Sequence, residues 1–215
     1  MTINVAACLI VLLGAFLGTE SPLTVTQMLW VNLIMDTFAA MALASLPPNE
    51  RVMRDKPRNP AEHIITKAMA KNILGVGLFF VVLLFGLIQY FKHVELTSLT
   101  EFSVSDFIGN FCNFKEGHLS AYELSLFFTI FVLLQFWNMF NAKALLSGRS
   151  AFVAMRESRG FLGVGAIILL GQVVIVTFGG SLFSIVPLKA VDWVIIFVAT
   201  SLVLWVGELV RLLRR

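Results

Sequence analysis

Apolar residues gather into six long runs, at about residues 3–18, 24–46, 73–91, 122–141, 161–178 and 190–210, with polar or Pro-containing stretches between them. A helix of about 20 apolar residues crosses a hydrocarbon core of about 30 Å. The runs therefore predict an all-α fold, a polytopic transmembrane helix bundle of about six spans. The first run begins at the chain start before completing a span on that side, and reads as a helix cut in the middle. Gly18-Thr19-Glu20-Ser21-Pro22 is long enough only for a tight hairpin between the first two helices. Pro47-Pro48 ends the second.

Polar residues inside these runs stand out, because lipid offers them no partner. Asp36 lies roughly ten residues from either end of the second run, where a carboxylate costs about 2.5–3.5 kcal/mol. Asn32 precedes it by four residues, so on an α-helix the two share a face. Together they offer oxygen ligands suited to a hard cation of the Ca²⁺ type, which takes about six to eight oxygens. The alternative is an Asp hydrogen-bonded to a neighbouring helix for structure alone. Gln135, Asn138 and Asn141 form a second polar stripe, in the fourth run, and Asn4 and Gln172 add amides in the first and fifth. Interhelical hydrogen bonding is the expected role of the fourth-run amides, since neutral amides alone compensate poorly for dehydrating a divalent ion. Glu208 and Arg211 are spaced as an i, i+3 ion pair. Gly75, Gly77, Gly160, Gly163, Gly165 and Gly171 are expected to allow close helix packing.

Composition agrees with a membrane protein: 58% hydrophobic and 13% charged residues, with a mean hydropathy of +0.88. The net charge of +3 reflects topology and gives no reason to expect nucleic acid as a partner. Arg51, Arg54, Lys56, Arg58, Lys67, Lys71, Lys143, Arg149, Arg156, Arg159, Arg211, Arg214 and Arg215 fall on one side of the proposed membrane. Only Lys92, Lys115 and Lys189 fall on the other. The positive-inside rule then places both termini in the cytoplasm. The segment from Lys92 to Ala121 is expected to be an irregular extracytoplasmic loop. Trp193 and Trp205 stand near the ends of the last run, as interface anchors do. Cys8 and Cys112 have no metal-ligand spacing, and residues 1–18 lack the basic start and cleavage site of a signal peptide.

The stretch QMLWVNLIMDTFAAMALASLPP, from Gln27 to Pro48, closely resembles the sixth transmembrane helix of P-type Ca²⁺-ATPases of the plasma-membrane type. Further landmarks fit the same family: TINVAACLIVLLGAFLG at Thr2 to Gly18, RVMRDKPRN at Arg51 to Asn59, MAKNILG at Met69 to Gly75, QFWNMFNAK at Gln135 to Lys143 and VIVTFGG at Val174 to Gly180. The resemblance implies that residues 1–215 are a C-terminal cation-ATPase transmembrane domain, from the middle of the parent pump's fifth helix through its tenth. It also implies a Ca²⁺ site to which Asn32 and Asp36 contribute side-chain oxygens. Asn4 matches an asparagine of a second site in sarcoplasmic-reticulum-type pumps. Two acids of those pumps are replaced here by Ala7 and Gln135, which implies a single-site pump. Secretory-pathway Ca²⁺/Mn²⁺ pumps share the Asn and Asp, leaving Mn²⁺ open as well as Ca²⁺; Na⁺/K⁺-type pumps fit less well.

The family's DKTG phosphorylation motif, TGD and GDG runs and nucleotide-binding domain do not occur in these residues, nor does its proline-broken fourth helix. ATP and Mg²⁺ would act only in the intact parent, a translocase, and the sequence leaves open whether this chain is itself an enzyme. It reads as a fragment whose partners are the lipid bilayer and the pump's N-terminal portion. Leu46 stands where the plasma-membrane type commonly has Glu. The alternatives are a standalone channel or secondary transporter using Asp36, and a noncatalytic membrane scaffold with the polar stripe as helix glue.

Overall fold

The computed structural model describes residues 2–16, 21–46, 65–115, 117–147, 150–153 and 158–213, with the side chains of 34–36, 68 and 145–147 also outside the described set. The loop basic residues Arg51, Arg54, Lys56, Arg58, Arg149, Arg156, Arg214 and Arg215 therefore lie outside the described residues, as does most of the tight turn at 18–22.

Each hydrophobic run becomes a helical element. The elements are α1 (Thr2–Phe16), α2 (Val25–Val31) with a π-helical continuation Asn32–Phe38 and then α3 (Ala39–Ala44), α4 (Lys67–His93), α5 (Val104–Asn110), α6 (Ala121–Ser147), α7 (Arg159–Phe178), α8 (Gly180–Phe183) and α9 (Ala190–Leu213). Among the described residues α4, α6, α7 and α9 are long and apolar enough to cross a membrane. The shorter α1 and the composite α2–π–α3 account for the other two runs, so the all-α bundle stands.

Local signals fix the starts. Thr24 and Gln27 form a capping box before α2, side chain to backbone in both directions, and Ser120 and Glu123 do the same before α6. The Thr66 hydroxyl accepts the Met69 N–H at the start of α4. Lys92 and His93 occupy the last turn of α4, where positive charge complements the helix dipole.

α6 is the central column. It packs against α4, α7 and α9, and 78% of its spanning window is buried, against 17% for α9. Phe127, Phe128, Phe131, Leu126 and Leu133 are all fully enclosed, as expected of a helix that is apolar on every side. α1 lays Ile3, Ala6, Ala7, Ile10 and Gly14 against α4.

Three expectations need correction. The second run is not one continuous α-helix: residues 32–38 bond i→i+5, so the Asn32–Asp36 segment is π-helical. The 92–121 segment is not irregular, because it holds a 3₁₀ turn at Leu99–Glu101 and the helix α5. Close packing occurs at Gly160 and Gly171, whereas Gly75 and Gly163 face open space, with nothing within 4 Å of a hypothetical Cβ.

Candidate intramembrane cation site

The broken helix is pinned to α7 at both ends. At one end the Trp30 indole Nε1 donates to Gln172 Oε1 at 3.1 Å, and the ring lies so close to Gly171 that a Cβ there would meet it at 3.0 Å. At the other, Ser45 fills the space over Gly160, where a Cβ would meet its Oγ at 2.8 Å. Gln27, a buried residue of α2, donates through Nε2 to the Phe183 carbonyl at 2.8 Å, and Trp30 meets the Phe183 ring edge-on. The glycines on α7 let the two helices approach, and the two anchors hold the helix backbone against α7 on either side of the π segment.

Between the anchors the described polar side chains lie uncovered. Asn32 and Thr37 are exposed, together with Leu33, Ala40 and Met41. Asp36 lies within the π segment by backbone position, and its side chain is outside the described set. The Asn32 N–H is shared between the Met28 and Leu29 carbonyls at the junction. A return from i→i+5 to i→i+4 bonding skips one carbonyl, and π segments recur at functional sites for such reasons. Asn32 and Asp36 thus sit where regular helix bonding lapses, on a stretch with hard oxygen donors. Among the described residues no three His, Cys, Asp or Glu side chains come together.

The other polar residues are placed differently. Asn141 donates to the Val203 carbonyl at 3.0 Å and accepts from Arg211, tying α6 to α9, and Glu208 pairs with Arg211 at 2.8 Å. Asn138 is half-buried on α6. Gln135 is buried with its Nε2 lacking a hydrogen-bond partner, and Gln172 keeps the same lack at its own Nε2. Asn4 is half-buried on α1 and Ala7 is buried there.

Two structural residues escaped the sequence reading. Trp30 gave a usable signal, since an indole N–H inside an apolar run must find an acceptor. Asp192 gave less. This fully enclosed carboxylate accepts from the Ser98 hydroxyl, the Leu99 N–H, the Tyr122 hydroxyl and the Lys189 N–H, joining the loop after α4 to α6 and α9.

Comparison with known proteins gives this architecture a lineage. Residues 20–213 match the family described as the C-terminus of cation transporting ATPases. The chain is 32% identical over 206 residues to plasma membrane calcium-transporting ATPase 2 of Oreochromis mossambicus, covering 95% of this chain and 18% of that protein. It is 33% identical over 217 residues to plasma membrane calcium-transporting ATPase 3 of Homo sapiens, covering 95% and 16%. With the mca-1 ATPase of Caenorhabditis elegans it shares 30% over 217 residues, covering 98% and 16%. The chain spans about a sixth of the length of these relatives. Its match over nearly all of its residues shows that it belongs to the cation-transporting ATPase C-terminal family.

Proposed function

We propose that the chain forms part of the cation pathway of an ATP-driven calcium export pump, with Asn32 and Asp36 as ligands of a single intramembrane site. The observation that carries the reading is the π-helical break at Asn32–Phe38 in a helix anchored on α7 at both ends. Discontinuous helices of this kind supply membrane ion sites with both side-chain and freed carbonyl oxygens. Ca²⁺ takes about six to eight oxygens, so Asn32 and Asp36 form part of a shell that other helices of the pump complete. Nucleotide and Mg²⁺ binding belong, on this reading, to parts of the pump corresponding to the rest of the relatives' length. The distribution of basic residues puts both ends of this chain on the cytoplasmic side.

The test is a chimera in which residues 1–215 replace the matching segment of a plasma membrane calcium-transporting ATPase. Ca²⁺-dependent phosphate incorporation from ATP is expected in the chimera and its loss in Asp36→Asn and Asn32→Ala. Unchanged Ca²⁺ dependence in both variants would overturn the ligand assignment. Cation flux through the 215-residue chain alone in liposomes, abolished by Asp36→Asn, would replace the pump reading with a standalone transporter.

A further inference from the structure

From the way α5 is seated on α4, we infer that the segment from Val104 to Phe114 is a membrane-embedded element, dipping into the headgroup and acyl boundary of the lipid bilayer beside α4.

The outward face of α4 carries Leu78, Phe79 and Val82, all exposed. Helical spacing of three and four continues that stripe to Phe85, Gly86 and Gln89. There the exposure stops, because the α5 segment lies over it. A Cβ on Gly86 would meet the Phe111 ring at 2.6 Å and the Phe107 ring at 2.9 Å, so the absent side chain makes the notch that receives both. Phe114 packs on Phe85 with ring centroids 6.0 Å apart and planes tilted by 47°. Gln89 is buried. α5 thus occupies a strip of α4 where lipid would otherwise sit.

Depth follows from position along α4. The spanning helix runs from Met69 to His93 over 25 residues, about 37 Å at 1.5 Å per residue, against a hydrocarbon core of about 30 Å. If the excess is shared between its ends, the boundary falls near Tyr90. The segment enters at that level, since the Tyr90 hydroxyl accepts the Ser103 N–H at 3.1 Å and Phe102 and Phe107 pack on its ring. It leaves where Lys92 donates to the Lys115 carbonyl. Gly86 and Phe85 lie four and five residues below Tyr90, about 6–8 Å deeper. That is the depth at which interfacial helices bury their apolar face.

The side of α5 turned away from α4 suits such a place. Val104 and Ile108, one turn apart on α5, are 63% and 68% exposed, and Phe114 beyond its end, packed by one edge on Phe85, is still 64% exposed, so these apolar groups continue the outward surface of α4. The occupant is lipid, on the ground of that depth and that continuity.

Site-directed spin labelling of the full chain in phosphatidylcholine vesicles tests the inference. In a Cys8→Ser, Cys112→Ser background, single labels are placed through Val104→Cys, Ile108→Cys, Phe114→Cys and Gly117→Cys. Collision with dioxygen, which partitions into lipid, is compared with collision with the water-soluble complex nickel ethylenediaminediacetate. Labels at Ile108 and Phe114 are expected to favour dioxygen several-fold over nickel, with Gly117 reversed, and apparent depth is expected to increase from Val104 to Ile108 to Phe114. Nickel accessibility at Ile108 equal to that at Gly117 would make the segment an aqueous loop and overturn the inference. Low collision with both reagents would mean that protein, rather than lipid, covers the face, and overturns it equally. So would a depth order that runs the other way.

Discussion

The π segment of the second run and the central helix α6 carry the same kinds of side chain in opposite states. α6 keeps unbroken α-helical bonding over 27 residues, and its polar groups are mostly committed to neighbours. Ser125 donates to the Ala121 carbonyl and receives the Val186 N–H, Thr129 donates to the Ser125 carbonyl, and Asn141 joins two partners on α9. Trp137 donates to the Thr200 hydroxyl. The π segment instead presents Asn32 and Thr37 outward and carries Asp36 on a backbone that has left α-helical bonding. A polar residue in a membrane helix therefore reads as glue where the backbone stays regular and partners close around it. It reads as a candidate site where the helix breaks.

The sharpest way to break this contrast is to neutralise Asp36. In the chimera, Asp36→Asn is expected to reduce Ca²⁺-dependent phosphate incorporation at least about 100-fold, the scale of losing a charged ligand worth about 3 kcal/mol; the corresponding loss in Asn141→Leu should be small. Comparable losses in the two would erase the distinction. Next in size is Asp192→Ala, which strips four donors of a buried charged acceptor and should lower stability by about 3–5 kcal/mol. A large drop in the thermal unfolding midpoint in detergent, with ion selectivity unchanged in the chimera, would place Asp192 with the glue. Trp30→Phe removes one donor from the anchor on Gln172 and is expected to cost about 1 kcal/mol. Its apparent Ca²⁺ affinity should shift as well, because the anchor orients the π segment. The smallest effect belongs to Gln135→Leu. Its Nε2 is buried without a partner, so an apolar group of similar size should be neutral or stabilising by about 0.5 kcal/mol. A loss of transport in that variant would move Gln135 from the glue to the site.

Much of the bundle was readable from hydropathy alone. All six runs become helical elements, and the ends of α4, α7 and α9 fall within a few residues of expectation, apart from the earlier start of α4 at Lys67. The Glu208–Arg211 pair followed from spacing. The π break did not, because seven residues in an apolar run cannot distinguish i→i+5 from i→i+4 bonding by periodicity. Yet the pair expected to form the site, Asn32 and Asp36, falls inside the break. The helix α5 hid in a loop too short for a periodic signal, although its start was marked. Ser103 caps the Asp106 N–H, and Phe102 and Phe107 close a hydrophobic staple with ring centroids 5.9 Å apart. Asp192 stayed hidden because three of its four donors are on other segments, and only the Lys189 N–H is local.

The two anchors on α7 carry a consequence for insertion and deletion. A π turn houses one more residue than an α turn, so the stretch between Trp30 and Ser45 holds about one residue beyond what a plain α-helix would need to span the same anchors. Removing a single residue such as Leu33 would let the stretch relax into regular helix while keeping Trp30 over Gly171 and Ser45 over Gly160 in phase. Removing two would rotate one anchor by about 100° relative to the other, the angular step of one helical residue. The frame is expected to tolerate losing one residue there and not two, which would make the surplus residue an addition to the proposed site and not a requirement of the fold.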